Sequence, residues 1–400
     1  MNRFLLIVPL VLMASFLGAH SGVRAATSPP SPVTITVRVG DAMPIDNGVD
    51  LANQFLPTVI MIHKGDTIHF NDNSDLHTTT YTPPGTLDPV LTIANPAGPG
   101  LVLNPLVSNP TNTSNGPTEF DPNAYFNSGL MLPGDSTDIH FGVVGSFTFH
   151  CHIHDGMMLA VNVTGTPINT PTQADLDKLG DTERDALYLG DHALGAGVQT
   201  TRSTTGSSST WNQVVGVSSS DDVADALQFL PGAPLNIATG DTVKWTSMTA
   251  TPHTITFGVS PDAAPNPLMN MSGFVGFNPS VLLPAGGNTY DGTGVVNSGF
   301  LSRDNAFPAG DHFSLTFTKA GTYTYICQIH PFMMGTIVVS DANAPPSAPS
   351  SQASRTISPP NTGTGAAQHP GVGGWFGAIG LVALTGGSLV LAGVRRRRTG

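Results

Sequence analysis

The two cysteines of the chain stand in near-copies of one short motif. The copies read Cys151-His-Ile-His-Asp-Gly-Met and Cys327-Gln-Ile-His-Pro-Phe-Met, so both follow the pattern C-x2-H-x2-M. An aromatic, alternating run precedes each copy (146–149 and 322–325), and a small hydrophobic run follows it (159–163 and 336–339). Such runs are typical of β-strands. The motif therefore predicts a tight loop between two strands that holds a thiolate, an imidazole and a thioether together.

A further histidine lies upstream of each motif at the same distance. His77 precedes Cys151 by 74 residues, and His253 precedes Cys327 by 74 residues. One cysteine, two histidines and a weakly bound methionine form the ligand set of a blue-copper centre. The sequence therefore predicts a copper site twice.

Other landmarks repeat in the same order. Gly65-Asp-Thr-Ile-His-Phe matches Gly240-Asp-Thr-Val-Lys-Trp at an offset of 175, and Asn127-Ser-Gly matches Asn297-Ser-Gly. Repetition of this kind indicates that one structural unit occurs twice along the chain.

Each half resembles a cupredoxin of the plastocyanin/azurin family, over residues 31–166 and 211–341. The stretch 323–339 is especially similar to the short ligand loop of amicyanin-type cupredoxins. The resemblance implies two type 1 copper ions per chain, with the ligands His77, Cys151, His154 and Met157 in the first half and His253, Cys327, His330 and Met333 in the second. The first half departs from the small cupredoxins in a run rich in Pro, Asn and Gly from Pro83 to about Pro122.

Length and composition agree with a two-domain β protein. Four hundred residues exceed a single hydrophobic core, and 45 Gly and 34 Pro supply many turns. We expect an all-β fold of two Greek-key β-sandwich domains in tandem, at 31–166 and 211–341, plus one C-terminal transmembrane helix. Residues 167–210 read as an acidic, Ser-rich connector that is partly helical from Gln173 and resembles a spacer over 203–209.

The two ends predict export and anchoring. Residues 1–26 combine Arg3, an apolar run and small residues, which is typical of a secretory signal peptide. Residues 375–394 carry no charge and precede four arginines at 395–398, as in a transmembrane helix whose basic end stays in the cytoplasm. The stalk 342–374 is rich in Pro, Ser and Gly and contains Pro359-Pro-Asn-Thr-Gly, which resembles a sortase signal. Either route places the protein on the outer face of the cell membrane or in the cell wall.

The charge balance disfavours nucleic acid as a partner. Of the 15 Lys and Arg, two lie in the predicted signal peptide and four in the tail, which leaves 9 against 27 Asp and Glu. The region between these two segments therefore has a net charge of −18, which repels phosphate and could attract a basic redox partner protein, although it could also serve solubility alone. Two cysteines in an exported protein also allow a Cys151–Cys327 disulfide, which would destroy both ligand sets.

Three functions fit these motifs: a surface-anchored electron carrier, a copper enzyme of the two-domain oxidase or nitrite reductase type, and a copper storage or delivery protein. The carrier is favoured because saturated blue-copper sites leave no position for substrate. The enzyme would need further histidines around His150 and His152, which flank Cys151, and His63, His69 and His140 are the candidates in this half. Since adjacent strand residues face opposite ways, we expect both rings to point away from the copper pocket without assembling a catalytic copper.

One charge distinguishes the two loops. Asp155 follows His154 directly, whereas Pro331 follows His330. Because a negative charge beside a ligand favours Cu(II), we expect the lower reduction potential at the first centre.

Overall fold

A computed structural model describes residues 31–98, 100–114, 116–165, 168–219 and 221–341. The predicted signal peptide (1–26), stalk (342–374), transmembrane helix (375–394) and arginine tail (395–398) lie outside these residues. Within the described part of the chain, no helix is both long enough and apolar enough to cross a membrane.

The described chain is mostly β-structure. The strands of the first half are β1 (Thr34–Ile45), β2 (Gly48–Leu56), β3 (Val59–His63), β4 (Thr67–Asp72), β5 (Thr80–Tyr81), β6 (Thr92–Ala94), β7 (Leu101–Leu103), β8 (Thr118–Glu119), β9 (Phe126–Asn127), β10 (Ser136–His140), β11 (Gly145–His150) and β12 (Met158–Thr164). Those of the second half are β13 (Thr201–Thr205), β14 (Ser208–Ser218), β15 (Ala224–Leu230), β16 (Leu235–Ala238), β17 (Thr242–Met248), β18 (Thr256–Phe257), β19 (Leu268–Met271), β20 (Phe274–Phe277), β21 (Thr289–Tyr290), β22 (Val296–Asn297), β23 (His312–Phe317), β24 (Gly321–Ile326) and β25 (Met334–Ser340). The helices are α1 (Pro105–Ser108), α2 (Gln173–Ala196) and α3 (Pro279–Leu282), with a 3-10 turn at Pro261–Ala263. The strands expected on either side of both cysteine motifs are confirmed as β11, β12, β24 and β25.

One large sheet runs through both halves. Its order is β21-β23-β17-β14-β15-β2-β1-β4-β10-β8, with β13 paired to β14. Each half adds a five-stranded sheet, β3-β12-β11-β5-β9 in the first and β16-β25-β24-β18-β22 in the second. A small sheet, β19-β20-β7-β6, also contains strands from both halves. The halves are therefore joined by main-chain hydrogen bonds in two places.

The central junction has an approximate twofold symmetry. Strands β2 and β15 pair antiparallel, with Leu51 opposite Asp225 and Asp50 opposite Ala226. Adding the repeat offset of 175 to Asp50 gives Asp225, and adding it to Leu51 gives Ala226, so the two pairs exchange. The repeat that is visible in the sequence thus relates the two halves across this pairing.

Two separate hydrophobic cores lie between the large sheet and the five-stranded sheets. The first buries Phe70 of β4 against Phe149 of β11, with ring centroids 5.7 Å apart. The second buries Trp245 of β17 against Tyr325 of β24, with ring centroids 5.3 Å apart. Each core receives the inward-facing side chains of two sheets, as the alternating patterns of strands β4 and β17 require.

The segment between the halves is more structured than its composition suggests. The expected helix is confirmed but continues for 24 residues as α2, which begins at a capping box of Thr172 and Asp175. It buries Leu176 and Tyr188 against the large sheet. The expectation of a spacer at 203–209 is wrong, because β13 pairs with the beginning of β14 there. The fold is therefore mostly β rather than all-β.

Candidate metal centres

Both cysteine motifs form the loop between two antiparallel strands. Cys151 follows β11 and Cys327 follows β24, and the amide of each cysteine donates to the carbonyl of the motif methionine, at 3.1 Å to Met157 and 3.2 Å to Met333. The amides of these methionines donate back to the motif histidines, at 3.0 Å to His154 and 2.8 Å to His330. Two backbone hydrogen bonds thus close the loop in the same way in both halves. Both cysteines are free thiols.

In the first half, three predicted ligands converge. The Sγ of Cys151 lies 4.0 Å from Nδ1 of His77 and 3.8 Å from Nδ1 of His154, and the two nitrogens are 3.1 Å apart. The side chains of all three residues are buried.

The second half repeats this triad. The Sγ of Cys327 lies 3.8 Å from Nδ1 of His253 and 3.7 Å from Nδ1 of His330, and the two nitrogens are 3.3 Å apart. These three side chains are buried as well. The upstream histidines chosen by their spacing are thus brought to the cysteines.

The two methionines are buried in the same hydrophobic cores as the cysteines, Met157 beside Cys151 and Met333 beside Cys327. Their backbone carbonyls accept hydrogen bonds from the amides of the cysteines, whereas their role as axial ligands stays a prediction.

A threonine that sequence reasoning missed supports each thiol. The amides of Thr78 and Thr254 donate to the Sγ of Cys151 and Cys327, at 3.3 and 3.4 Å. Their hydroxyls accept from the amide of the residue after each cysteine, at 2.9 and 2.8 Å. These threonines directly follow the upstream histidines in both copies, so the repeat itself carried the signal.

An asparagine holds the short strand that follows each upstream histidine. The side chain of Asn127 accepts from Thr80, and that of Asn297 accepts from Thr256. The amide group of each asparagine also donates to carbonyls around the short helices α1 and α3. This explains why the asparagine of the Asn-Ser-Gly landmark occurs in both halves.

A glycine bulge makes room for each upstream histidine. Gly40 has φ +71° at an irregularity of β1, and Gly216 has φ +61° at one of β14. A Cβ at Gly40 would lie 2.5 Å from Nε2 of His77, and one at Gly216 would lie 2.8 Å from Nε2 of His253. Only glycine suits both the backbone angle and the space.

Burial dominates the electrostatics of the first triad. It lowers the pKa of His77 well below its ordinary value and lowers that of His154 to about 4, while it raises the pKa of the Cys151 thiol. The imidazoles are therefore neutral at neutral pH, with lone pairs available for a metal.

The second triad differs because a carboxylate touches it. Oδ2 of Asp75 lies 3.4 Å from Nε2 of His330. Burial opposes charge on His330, but the contacts with Asp75 and Cys327 raise the pKa of this imidazole above its ordinary value. Burial likewise opposes the thiolate, yet His253 and His330 lower the pKa of Cys327 well below its ordinary range. The sequence repeat could not predict this contact, because Asp75 has no counterpart in the second half. The corresponding position, two residues before the upstream histidine, is Thr251.

The histidines that flank Cys151 point away from the first triad, as expected. Their ring centroids are 5.0 Å apart, and Nε2 of His150 lies 3.4 Å from Oδ1 of Asp88. The other candidate histidines have separate contacts: His63 with the carbonyl of Ile168, His69 with Asp138 and His140 with Glu119. The third potential metal ligand beside His150 and His152 is thus an aspartate, Asp88. The sequence-based expectation considered only histidines and therefore missed it.

The donors of each triad fit one copper ion. Ligand atoms at roughly 2.0–2.3 Å from a common ion are separated by about 3–4 Å, as the sulfur and nitrogen atoms are in both halves. One thiolate and two imidazoles in a trigonal arrangement, with a methionine nearby, favour copper over harder metals.

Comparison with known proteins agrees with this chemistry. Residues 215–340 match the family of copper binding proteins, plastocyanin/azurin family. Amicyanin from Paracoccus denitrificans is 31% identical over 107 residues, which are 26% of this chain and 53% of that protein. The chain thus spans about half the length of this curated relative.

Solved structures of amicyanin variants are also similar. A Cu(I) form is 26% identical and matches 28% of this chain and 73% of its own, with a TM-score of 0.18. A second Cu(I) form is 29% identical and matches 27% and 69%, with a TM-score of 0.17. Residues 215–340, which contain the buried triad of His253, Cys327 and His330, thus match the plastocyanin/azurin family of copper binding proteins.

Proposed function

We propose that this protein is a blue-copper electron carrier with two type 1 centres, one in each of two tandem cupredoxin domains. The single observation that carries the proposal is the duplicated triad. Both copies combine one thiol and two Nδ1 atoms at matching distances. In both, the sulfur accepts a hydrogen bond from the backbone amide of the threonine that follows the upstream histidine. The family match covers the second half, and the repeat extends the argument to the first.

Burial of the donors favours electron transfer over bond-making chemistry. His154 is 5% exposed and His330 is 4% exposed, while His77 and His253 are fully buried. Copper held there would supply one-electron redox chemistry. The residues of the chain would fix the ligand geometry in both oxidation states and exclude water and substrate from the metal.

The tandem arrangement is supported by the two cores and by the symmetric junction. Each core contains its own cysteine and methionine, and the pairing of β2 with β15 relates the halves by the repeat offset. A Greek-key sandwich for each half follows from the resemblance to cupredoxins.

Partner and location are proposed from the sequence. A strongly acidic exported region suits a basic redox partner protein and disfavours nucleic acid. The apolar segments at both ends suit export and anchoring at the outer face of the cell membrane or in the cell wall. The anchor is tested by membrane fractionation of cells that make the full chain or a chain without residues 375–400. We expect the full chain in the membrane fraction and the shortened chain to be released from it.

The decisive experiment measures copper, colour and paramagnetism of the purified full chain. We expect two copper ions per chain, an intense visible absorption band and two overlapping type 1 EPR signals that disappear on reduction and return on oxidation. Cys151→Ser and Cys327→Ser should each remove about half of the band, because the colour arises from thiolate-to-copper charge transfer.

His140→Ala is a matched control, since this histidine pairs with Glu119 on the surface of the same half and should leave the band intact. A colourless chain that binds copper, or one that holds Cu(I) without redox cycling, would contradict the carrier and favour storage or delivery.

A further inference from the structure

A second group of metal-binding side chains lies beside the first triad. Asp88, His150 and His152 each place a ligand atom within 4.8 Å of the others. His150 and His152 flank Cys151 but face the opposite side of the strand, so none of the three belongs to the copper triad. Asp88 comes from the Pro-rich insertion that follows β5.

The distance between Asp88 and His150 suits a shared ion. Their nearest atoms, Oδ1 and Nε2, are 3.4 Å apart, which is longer than a good hydrogen bond. Nε2 of His150 is buried and has no hydrogen-bond partner among the described residues. Two ligands that each lie about 2.0–2.2 Å from one ion are separated by roughly this distance.

His152 is held by a tyrosine. The hydroxyl of Tyr125 donates to the carbonyl of Leu106 at 2.9 Å and lies 3.1 Å from Nε2 of His152. With its proton committed, the tyrosine oxygen accepts from Nε2–H, which leaves the lone pair on Nδ1 of His152. Metal-binding histidines commonly donate their second ring nitrogen in this way, since the bond fixes tautomer and orientation.

We propose that Asp88, His150 and His152 bind one divalent transition-metal ion, with Tyr125 as the positioning residue for His152. Two imidazoles and one carboxylate suit Cu²⁺ or Zn²⁺, whereas Mg²⁺ and Ca²⁺ prefer oxygen ligands. Three protein ligands leave a position for water. The side chain of Asp88 is 51% exposed, so that position is open to solvent.

The site belongs to the first half alone. The residues that flank Cys327 are Ile326 and Gln328, neither of which offers an imidazole. The proposal goes beyond the electron-carrier function and does not depend on it, since an additional metal can be measured whether or not the triads turn blue.

The test is titration of the full chain, first loaded with two equivalents of copper, with a further equivalent of Cu²⁺ followed by EPR. We expect a third bound ion whose EPR signal lacks thiolate character and adds no visible band. Zn²⁺ should compete for this signal, and Mg²⁺ should not. His150→Ala and Asp88→Asn should weaken the binding of the third ion by more than tenfold, while an unchanged far-UV circular dichroism spectrum shows that the variants are folded.

Tyr125→Phe should lower the affinity for the third ion by about 10- to 100-fold and alter the hyperfine pattern of the remaining EPR signal. His140→Ala is the control, because it removes a surface histidine paired with a carboxylate in the same half. The proposal fails if no third ion binds, if His150→Ala and Asp88→Asn retain it, or if His140→Ala weakens it equally.

Discussion

The carboxylate of Asp75 lies 3.4 Å from the Nε2 atom of His330, although the two residues belong to different halves of the chain. Asp75 stands two residues before His77, a member of the first triad, while His330 belongs to the second. One ion-pair contact and a short piece of main chain thus connect the two sites. If both triads bind copper, this connection suits electron exchange between them.

Asp75 also changes the expected order of the reduction potentials. The sequence favoured a lower potential at the first centre because Asp155 follows His154. In the structure Asp155 is exposed to solvent, whereas the side chain of Asp75 is only 25% exposed and touches a ligand of the second centre. A buried charge is screened less than an exposed one. We therefore expect the lower potential at the second centre.

Asp75→Asn should raise the potential of the second centre. The substitution removes the negative charge that stabilises Cu(II) at His330 but keeps the size of the side chain. We expect a shift on the order of 50 mV, equivalent to about 1.2 kcal/mol at 59 mV per tenfold change in equilibrium constant. Spectroelectrochemical titration of the Cys151→Ser background isolates the second centre. Asp155→Asn is the control and should shift that centre by much less; equal shifts would contradict the argument.

Gly216→Ala should abolish the second blue centre and spare the first. The added Cβ would lie 2.5 Å from Cγ2 of Thr249 and 2.8 Å from Nε2 of His253, on a backbone with φ +61°. The histidine must move, so the triad loses its geometry. Copper content and the visible band should each fall by about half.

Gly206→Ala separates strain from collision. Gly206 also has a positive φ, +65°, but a Cβ there meets nothing within 4 Å. We expect both centres to survive with a loss of stability of about 1 kcal/mol, the ordinary cost of alanine in this region. Loss of copper from this variant would show that strain, rather than contact with His253, explains the effect of Gly216→Ala.

The repeat explains why much of the site was predictable. Two copies of a motif at equal spacing identify His77 and His253 without structural knowledge, and they imply the strands around both loops. The contacts that distinguish the halves have no repeat to reveal them. Asp75 and His330 belong to different halves, which the pairing of β2 with β15 joins, and Asp88, the partner of His150, lies in an insertion. Such contacts depend on tertiary geometry, which local sequence patterns do not encode.

Asp191 of α2 is buried where the halves meet, near Asp50 and Asp225. Its side chain is fully buried, and neither carboxylate oxygen has a hydrogen-bond partner among the described residues. Burial, helped by the charges of Asp50 and Asp225, raises the pKa of Asp191 to about 9. In the folded chain Asp191 therefore keeps its proton at pH values at which the unfolded chain, with the ordinary pKa of 3.8, has released it.

The contribution of Asp191 to the free energy of unfolding should consequently decrease as the pH rises. The contribution of Asp191 is complete below about pH 4, where both states are protonated, and is lost progressively up to about pH 9. Asp191→Asn keeps the shape without the ionisable proton, so it should be more stable than the parent at pH 8 by about 1–3 kcal/mol and similar to it at pH 4. Urea denaturation of both chains at the two pH values measures this difference. Asp185→Asn, on the same helix but 57% exposed, is the control and should change stability by less than about 0.5 kcal/mol at either pH. If Asp191→Asn destabilises the chain equally at both pH values, Asp191 is ionised in the fold and the carboxylates at this junction are stabilised in another way.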